Sequence, residues 1–404
     1  MKKNKSESQQ KCCDRLNKVG GQAVLEGVMM KAGARTVTTC RKEDGNLVVY
    51  DGEFHSVRKK HKILNIPILR GVINFVEMLA LSVKTLGNSA DALGIEEEDG
   101  KCEKWLKKHF GIKLTDVIMI ISLVLGLALS VFLFMFLPNL ISSLIDKYIA
   151  KGALGVWTAV VEGVVKILIF LAYLWLVSLM PDIKRTFMYH GAEHKSIACF
   201  ESGAELTPEH AKKYTRFHPR CGTSFMFFMI LLGIFAGLFV KILIPGLDPF
   251  AYTGIRLLIL PLVMGLGYEV IMFSGKHDNL FTRALSAPGL WVQRITTKEP
   301  TEDMLEVAII SIKCALRDEF PEFKEFFENK EWEKKDSTAN TEEANSEAVS
   351  IGEANAKNLS IEEANSEAAG IDESQPEESI DGKCASESEA NTEIKAEEKE
   401  NDAP

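Results

Sequence analysis

The chain has 404 residues, 46% of them hydrophobic and 25% charged. Its apolar residues gather into long runs instead of recurring at a fold period, which excludes a string of ordinary soluble domains. The formal net charge of -9 belongs to one end: residues 331–404 hold 22 Asp/Glu against 6 Lys/Arg, so the remainder carries about +7, as expected for protein facing an anionic inner leaflet.

Residues 1–17 are polar and charged and read as a disordered lead; no apolar segment follows a basic start, so no cleavable signal peptide is expected. Residues 18–113 read as a small cytoplasmic α+β region. Within it, Val19 to Met30 is an apolar stretch punctuated by Gly20, Gly21 and Gly27, which implies close backbone approach. Residues 35–57 alternate on either side of Asp44-Gly45 and predict a β-hairpin. The apolar stretch from Ile63 to Ala90 is broken by Pro67, Arg70, Gly71, Asn74 and Glu77; it suits an interfacial or re-entrant helix better than a bilayer crossing.

Four transmembrane helices follow. Val117–Ile145 carries no charge over 29 residues, where roughly 20 suffice to cross the hydrocarbon core, and a helix end is expected near Leu137-Pro138. Val156–Met180 is the second span and contains Glu162 and Lys166 at the i,i+4 spacing of a helix-face ion pair, read as a pair near the outer interface. Phe225–Ile244 and Leu257–Phe273 are the third and fourth, joined by the short loop 245–254. The domain plan is therefore spans one and two within 114–180, a cytoplasmic loop 181–224, and spans three and four within 225–274. The loop carries Lys184, Arg185, Lys195, Lys212, Lys213, Arg216 and Arg220, whereas the two other loops hold Lys147, Lys151 and Arg256. That bias predicts a multi-pass protein of the bacterial inner membrane with both termini and the central loop in the cytoplasm.

Residues 275–329 follow as a cytoplasmic segment. Pro288 to Arg294 reads as interfacial with Trp291 as anchor, and a helix is expected from Thr301 to Arg317 with one apolar stripe of Leu305, Ala308, Ile309, Ile312 and Leu316. From residue 330 to 404 the chain turns to Glu, Ser, Ala and Asn, repeats Glu-Glu-Ala-Asn-Ser-Glu-Ala, and is expected to be a disordered acidic tail. The eight cysteines are scattered and form no disulfide framework, which fits a reducing compartment.

Five of the eight histidines lie between His190 and His277. On a helix, His190, Glu193 and His194 give the order His-x-x-Glu-His: two imidazoles one turn apart that suit a single metal ion, with a glutamate between them to take a proton from the metal's water. His218 and Cys221 have the gap of a zinc knuckle and precede span three, so the loop can supply four ligands. A closed set of four would be structural; three ligands plus water would be catalytic. Glu201, seven residues beyond His194, and Glu269, near the end of span four, are further ligand candidates. Glu269 reads equally as a carboxylate paired with Lys276 or Arg283. There is no phosphate-cradling loop, no dinucleotide fingerprint and no aromatic interleaving of the basic residues, so no nucleic-acid partner is expected.

Four stretches carry a family resemblance: Gly20 to Met30, Tyr189 to Lys195, His218 to Phe225 and Ala287 to Arg294. They resemble the YqhQ-like bacterial membrane proteins, a family labelled as of unknown function and as predicted metal-dependent enzymes, over roughly residues 18–318. The resemblance implies a metal at His190, Glu193, His194, His218 and Cys221 and supplies no substrate.

The expectation is thus a mainly α polytopic membrane protein with a zinc-dependent, or other divalent-metal-dependent, hydrolytic site at the cytoplasmic membrane face, peptidase-like, with Glu193 as base and a peptide or protein as substrate. The rival is a non-enzymatic, partner-binding or assembly protein in which structural zinc staples the loop. A transporter is the third reading. It draws on Glu162, Lys166 and Glu269, and four spans without inverted repeats would then require a homo-oligomer.

Overall fold

This computed structural model describes residues 15–16, 18–59, 61–94, 114–218, 221–274, 280–328 and 347–351. The lead before residue 15 and the acidic tail apart from 347–351 lie outside them. In chain order the elements are β1 (Val19–Val24), β2 (Gly27–Ala32), β3 (Arg35–Arg41), β4 (Leu47–Glu53), α1 (Leu69–Ala92), α2 (Leu114–Val131), α3 (Leu137–Tyr148), α4 (Thr158–Val177), α5 (Pro181–Glu201), α6 (Pro208–Lys212), α7 (Gly222–Leu243), α8 (Pro249–Ser274), α9 (Leu280–Thr296), α10 (Glu302–Ala315), α11 (Pro321–Glu328) and β5 (Glu347–Ile351). They form two compact units, one of residues up to Phe54, Met188–Arg216 and Glu299 onward, the other of His55–Phe187 and Phe217–Lys298.

The first unit is built on an antiparallel meander in the order β1-β2-β3-β4-β5. The hairpin expected around Asp44-Gly45 is β3–β4: Gly45 takes φ 84° and the Asp44 carboxylate accepts from Asn46 N–H at 2.9 Å, a local bond that sets the turn. The glycine-rich stretch before it is a second hairpin, β1–β2, closed by Leu25 and Glu26, with Glu26 at φ 47°. Gly21 and Gly27 do sit where a Cβ would collide with the neighbouring strand's backbone; Gly20 has open space. β5 pairs with β4 over Glu347 to Ile351, a strand that the tail's composition gave no reason to expect.

α10 packs on β2 and β3. The expected single stripe is corrected here, because Met304 through Ala315 are buried all but continuously. One side of the helix covers the sheet while α6 covers another, so even Ser311 is enclosed; its hydroxyl donates to Val28 O at 2.8 Å and bonds Thr39 Oγ1 at 2.7 Å. A polar group inside a core needs such partners. Val28, Met30, Val37, Leu47 and Val49 from the sheet, with Leu305, Ile309 and Ile312, fill the core.

The second unit contains four helices long and apolar enough to cross a membrane: Ile121–Tyr148, Gly155–Val177, Phe225–Leu243 and Pro249–Val270. Leu123, Leu125, Leu127 and Leu258 are among the large apolar side chains left exposed on them, as expected of surfaces that face lipid. The first span does not end at Pro138. It passes through a π-helical segment, Phe132–Phe136, before α3. The wider turn accommodates a proline whose ring would clash with the carbonyl four residues back in a regular helix. The fourth span begins earlier than expected, at Pro249, where the Asp248 carboxylate accepts from Phe250 and Ala251 N–H at 2.9 and 3.2 Å and caps the helix.

α1, the interrupted helix, packs along α8. The approach is close: a Cβ on Gly265 would lie 2.3 Å from Ile68 Cγ2, and one on Gly71 would lie 2.7 Å from Tyr268 Cβ. Pro288 lies inside α9, which is a continuous helix with Trp291 exposed and Val292 buried.

Candidate metal centre

The His-x-x-Glu-His segment is helical, the condition for its two imidazoles to share a face, and lies in α5. The rings of His190 and His194 have centroids 4.4 Å apart, and their nitrogens lie within 4.8 Å of each other. His194 is 2% exposed, and its Nδ1 lies 2.6 Å from the Arg216 carbonyl. A carbonyl only accepts, so Nδ1 carries a proton, and in the neutral imidazole Nε2 is then the acceptor nitrogen. That is the arrangement by which metal-binding histidines are usually oriented.

The Arg216 carbonyl is itself held in place. Arg216 Nη1 meets Glu299 Oε2 at 3.2 Å, and the other oxygen of Glu299 bonds Lys195, the residue after His194. Lys195 Nζ also donates to Lys212 O at 2.9 Å. Glu299 therefore ties the loop that presents the carbonyl to the helix that presents the imidazole. Sequence reasoning missed it, because the residue lies 104 positions from Lys195 and belongs to no local pattern.

Glu193 is 5% exposed and sits against β1. Burial pushes its carboxyl up to about 7; nearby His190 and the Ala23 N–H, which donates to it, act the other way. Its Oε2 has no hydrogen-bond partner among the described residues. A Cβ on Gly21 would lie 3.0 Å from Glu193 Cγ, so glycine there leaves room for the carboxylate to approach the strand. Beside the motif, Tyr189 Oη donates to Glu26 Oε2 at 3.4 Å. Glu201 is the last residue of α5 and is buried, so the helix does extend seven residues beyond His194.

The second half of the motif lies in the other unit. Gln293, fully buried on α9, clamps the backbone of His218: its Oε1 accepts from His218 N–H and its Nε2 donates to His218 O, each at 2.8 Å. Cys221 caps α7, with Sγ 3.5 Å from Thr223 N and 3.2 Å from Thr223 Oγ1. It is buried and takes no disulfide. Both oxygens of Glu269 receive the guanidinium of Arg70, from α1, in a two-point ion pair; the side chains of Lys276 and Arg283, its expected partners, lie outside the described residues. Arg70 lies 199 positions away, beyond any pairing that local sequence suggests.

A family model described as a protein of unknown function, DUF1385, matches residues 66–318, more than half of the chain. The chain belongs to this family. A curated member, the uncharacterized protein YqhQ of Bacillus subtilis (strain 168), is 35% identical over 306 residues, covering 74% of this chain and 92% of that protein. No solved structure matches. The family match spans the His190–His194 and His218–Cys221 segments, the four apolar helices and α10.

Proposed function

We propose that the protein is a membrane-embedded, metal-dependent hydrolase that acts on a peptide or amide bond near the cytoplasmic membrane face. Zinc, or another divalent ion, is held by His190 and His194, with His218 and/or Cys221 completing the set. The observation that supports this reading is the 2.6 Å contact between His194 Nδ1 and the Arg216 carbonyl, which orients the imidazole with Nε2 as its acceptor nitrogen. Two neutral imidazoles and a thiolate suit zinc among divalent ions.

Bound there, the ion would supply a polarised water with a pKa near 7. The chain's own residues do the rest. Glu193, one residue from His194, has a carboxyl raised to about 7 by burial and a free Oε2, so it can take a proton near neutral pH and return it to a leaving amine. A zinc that only stapled the loop would have no use for such a group, which favours the hydrolytic reading over a structural one. Glu201 and Glu269 are left outside the catalytic set; Glu269 already has Arg70.

Metal quantification by mass spectrometry on detergent-purified protein tests the reading. About one zinc per chain is expected. His190→Ala and His194→Ala should lose it, and Cys221→Ala should reduce it, while Glu193→Gln should keep it. Folded wild type that neither carries nor takes up a divalent metal would sink the proposal. Loss of the metal in Glu193→Gln would make Glu193 a ligand and remove the base.

A further inference from the structure

The expected Glu162–Lys166 pair exists, at 3.5 Å, but it is one part of a larger buried cluster within the spans. Arg256 of α8 bonds Glu162 Oε1 through Nη1 and the Gly233 carbonyl through Nη2 at 3.0 Å. Lys241 of α7 lies 3.5 Å from Glu162 Oε2 and donates to Thr158 Oγ1 at 3.1 Å. Tyr252 lies beneath both, with the Lys241 ammonium 4.9 Å and the Arg256 guanidinium 5.2 Å from its ring centre. Glu162, Lys166, Arg256 and Tyr252 are each 5% exposed or less.

One carboxylate faces three cations, an excess of two positive charges. Asp146, at the end of α3, acts on Lys241 as well and would lower the excess to one. An uncompensated charge in a membrane interior is expensive, and proteins keep such groups where they pair or bind something. The donors are also in surplus. An ammonium has three protons to place, yet among the described residues the only hydrogen bond made by the Lys166 ammonium is the long one to Glu162. Tyr252 Oη, on a residue 98% buried, makes no hydrogen bond of good geometry among the described residues, although it lies close enough to Glu162 and Arg256 to interact with both. A Cβ on Gly237 would come 2.5 Å from that hydroxyl, so the glycine keeps the hydroxyl's surroundings clear.

We propose that this end of the bundle, where α7 turns into α8, binds an oxyanion of the phosphate type. Arg256, Lys166 and Lys241 supply the positive charge, and Tyr252 and the spare Lys166 protons supply donors. Glu162 holds the cations in position and competes with the ligand. The phosphate can come from a lipid headgroup or from solution. The inference is independent of the metal site.

The test uses full-length protein in detergent and in nanodiscs. Binding of radiolabelled inorganic phosphate is measured by equilibrium dialysis, and retention of phosphatidylglycerol by native mass spectrometry. Either ligand is expected at about one per chain; phosphate binding identifies a soluble source, and lipid retention without phosphate binding identifies a headgroup. Lys166→Met and Lys241→Met should each weaken binding about tenfold. Glu162→Gln, which removes the competing charge, should tighten it severalfold, an effect opposite to that of a variant that merely disturbs folding. Binding of neither ligand overturns the proposal. So does a folded Glu162→Gln whose binding is unchanged or weaker, which would mean that the cluster balances its charge by itself.

Discussion

Glu193 sets a stability that depends on pH. Its carboxyl is raised from an ordinary 4.5 to about 7 by burial, so between those values the folded chain holds a proton that the unfolded chain has lost. Stability therefore falls as pH rises through that window, and above about 7 the buried carboxylate costs up to about 3 kcal/mol. Melting curves of metal-free protein from pH 4 to 9 should show this decline in wild type and its loss in Glu193→Gln; parallel curves would refute the assigned environment. Three cysteines give a second expectation. Burial pushes the thiols of Cys40 and Cys199 up to about 12 and raises that of Cys314 as well. Since the thiolate is the reactive form, iodoacetamide at pH 8 should label all three only after denaturation, as read by peptide mass mapping. The sequence offered the ligand types at this scale, His190, His194, His218 and Cys221, because residue identity and spacing are local. It did not offer what orients them, since Arg216 acts through its carbonyl and Glu299 and Gln293 through distant pairing.

Among the elements, the spans were legible because a bilayer demands apolar length and little else. Their ends were less so. Pro138 reads as a stop, yet a π-turn two residues earlier lets the helix run on to Tyr148. α10 reads as half-exposed because its apolar residues do form a stripe, but Ser311, Lys313 and Cys314 are buried by neighbours that the helix's own pattern does not record. α9 carries a testable load through Gln293. Gln293→Leu would leave both the N–H and C=O of His218 without their partner, at a cost of about 1–3 kcal/mol. A drop in the apparent melting temperature, with weaker metal retention, is expected; an unchanged melting temperature would show that the clamp is dispensable.

For the whole molecule, the first unit draws on residues before span one, between spans two and three, and after span four. An even number of crossings separates each contribution from the next, so all three lie on one side of the membrane. From the Lys/Arg bias of the central loop we propose that this side is the cytoplasm. Alkaline phosphatase fused after Gly152 or Gly246 should accordingly be active, and after Gly203 inactive; the reverse pattern would invert the orientation. The interleaving also bears on biogenesis. β1 to β4 leave the ribosome first, but α10, which covers β2 and β3, is made some 250 residues later, after the fourth span. At roughly 5–20 residues per second the sheet waits on the order of tens of seconds with its apolar face uncovered. A chain that misses one insertion would deliver α10 to the wrong compartment and leave that face permanently bare, a signal that holdase chaperones and membrane proteases are suited to detect.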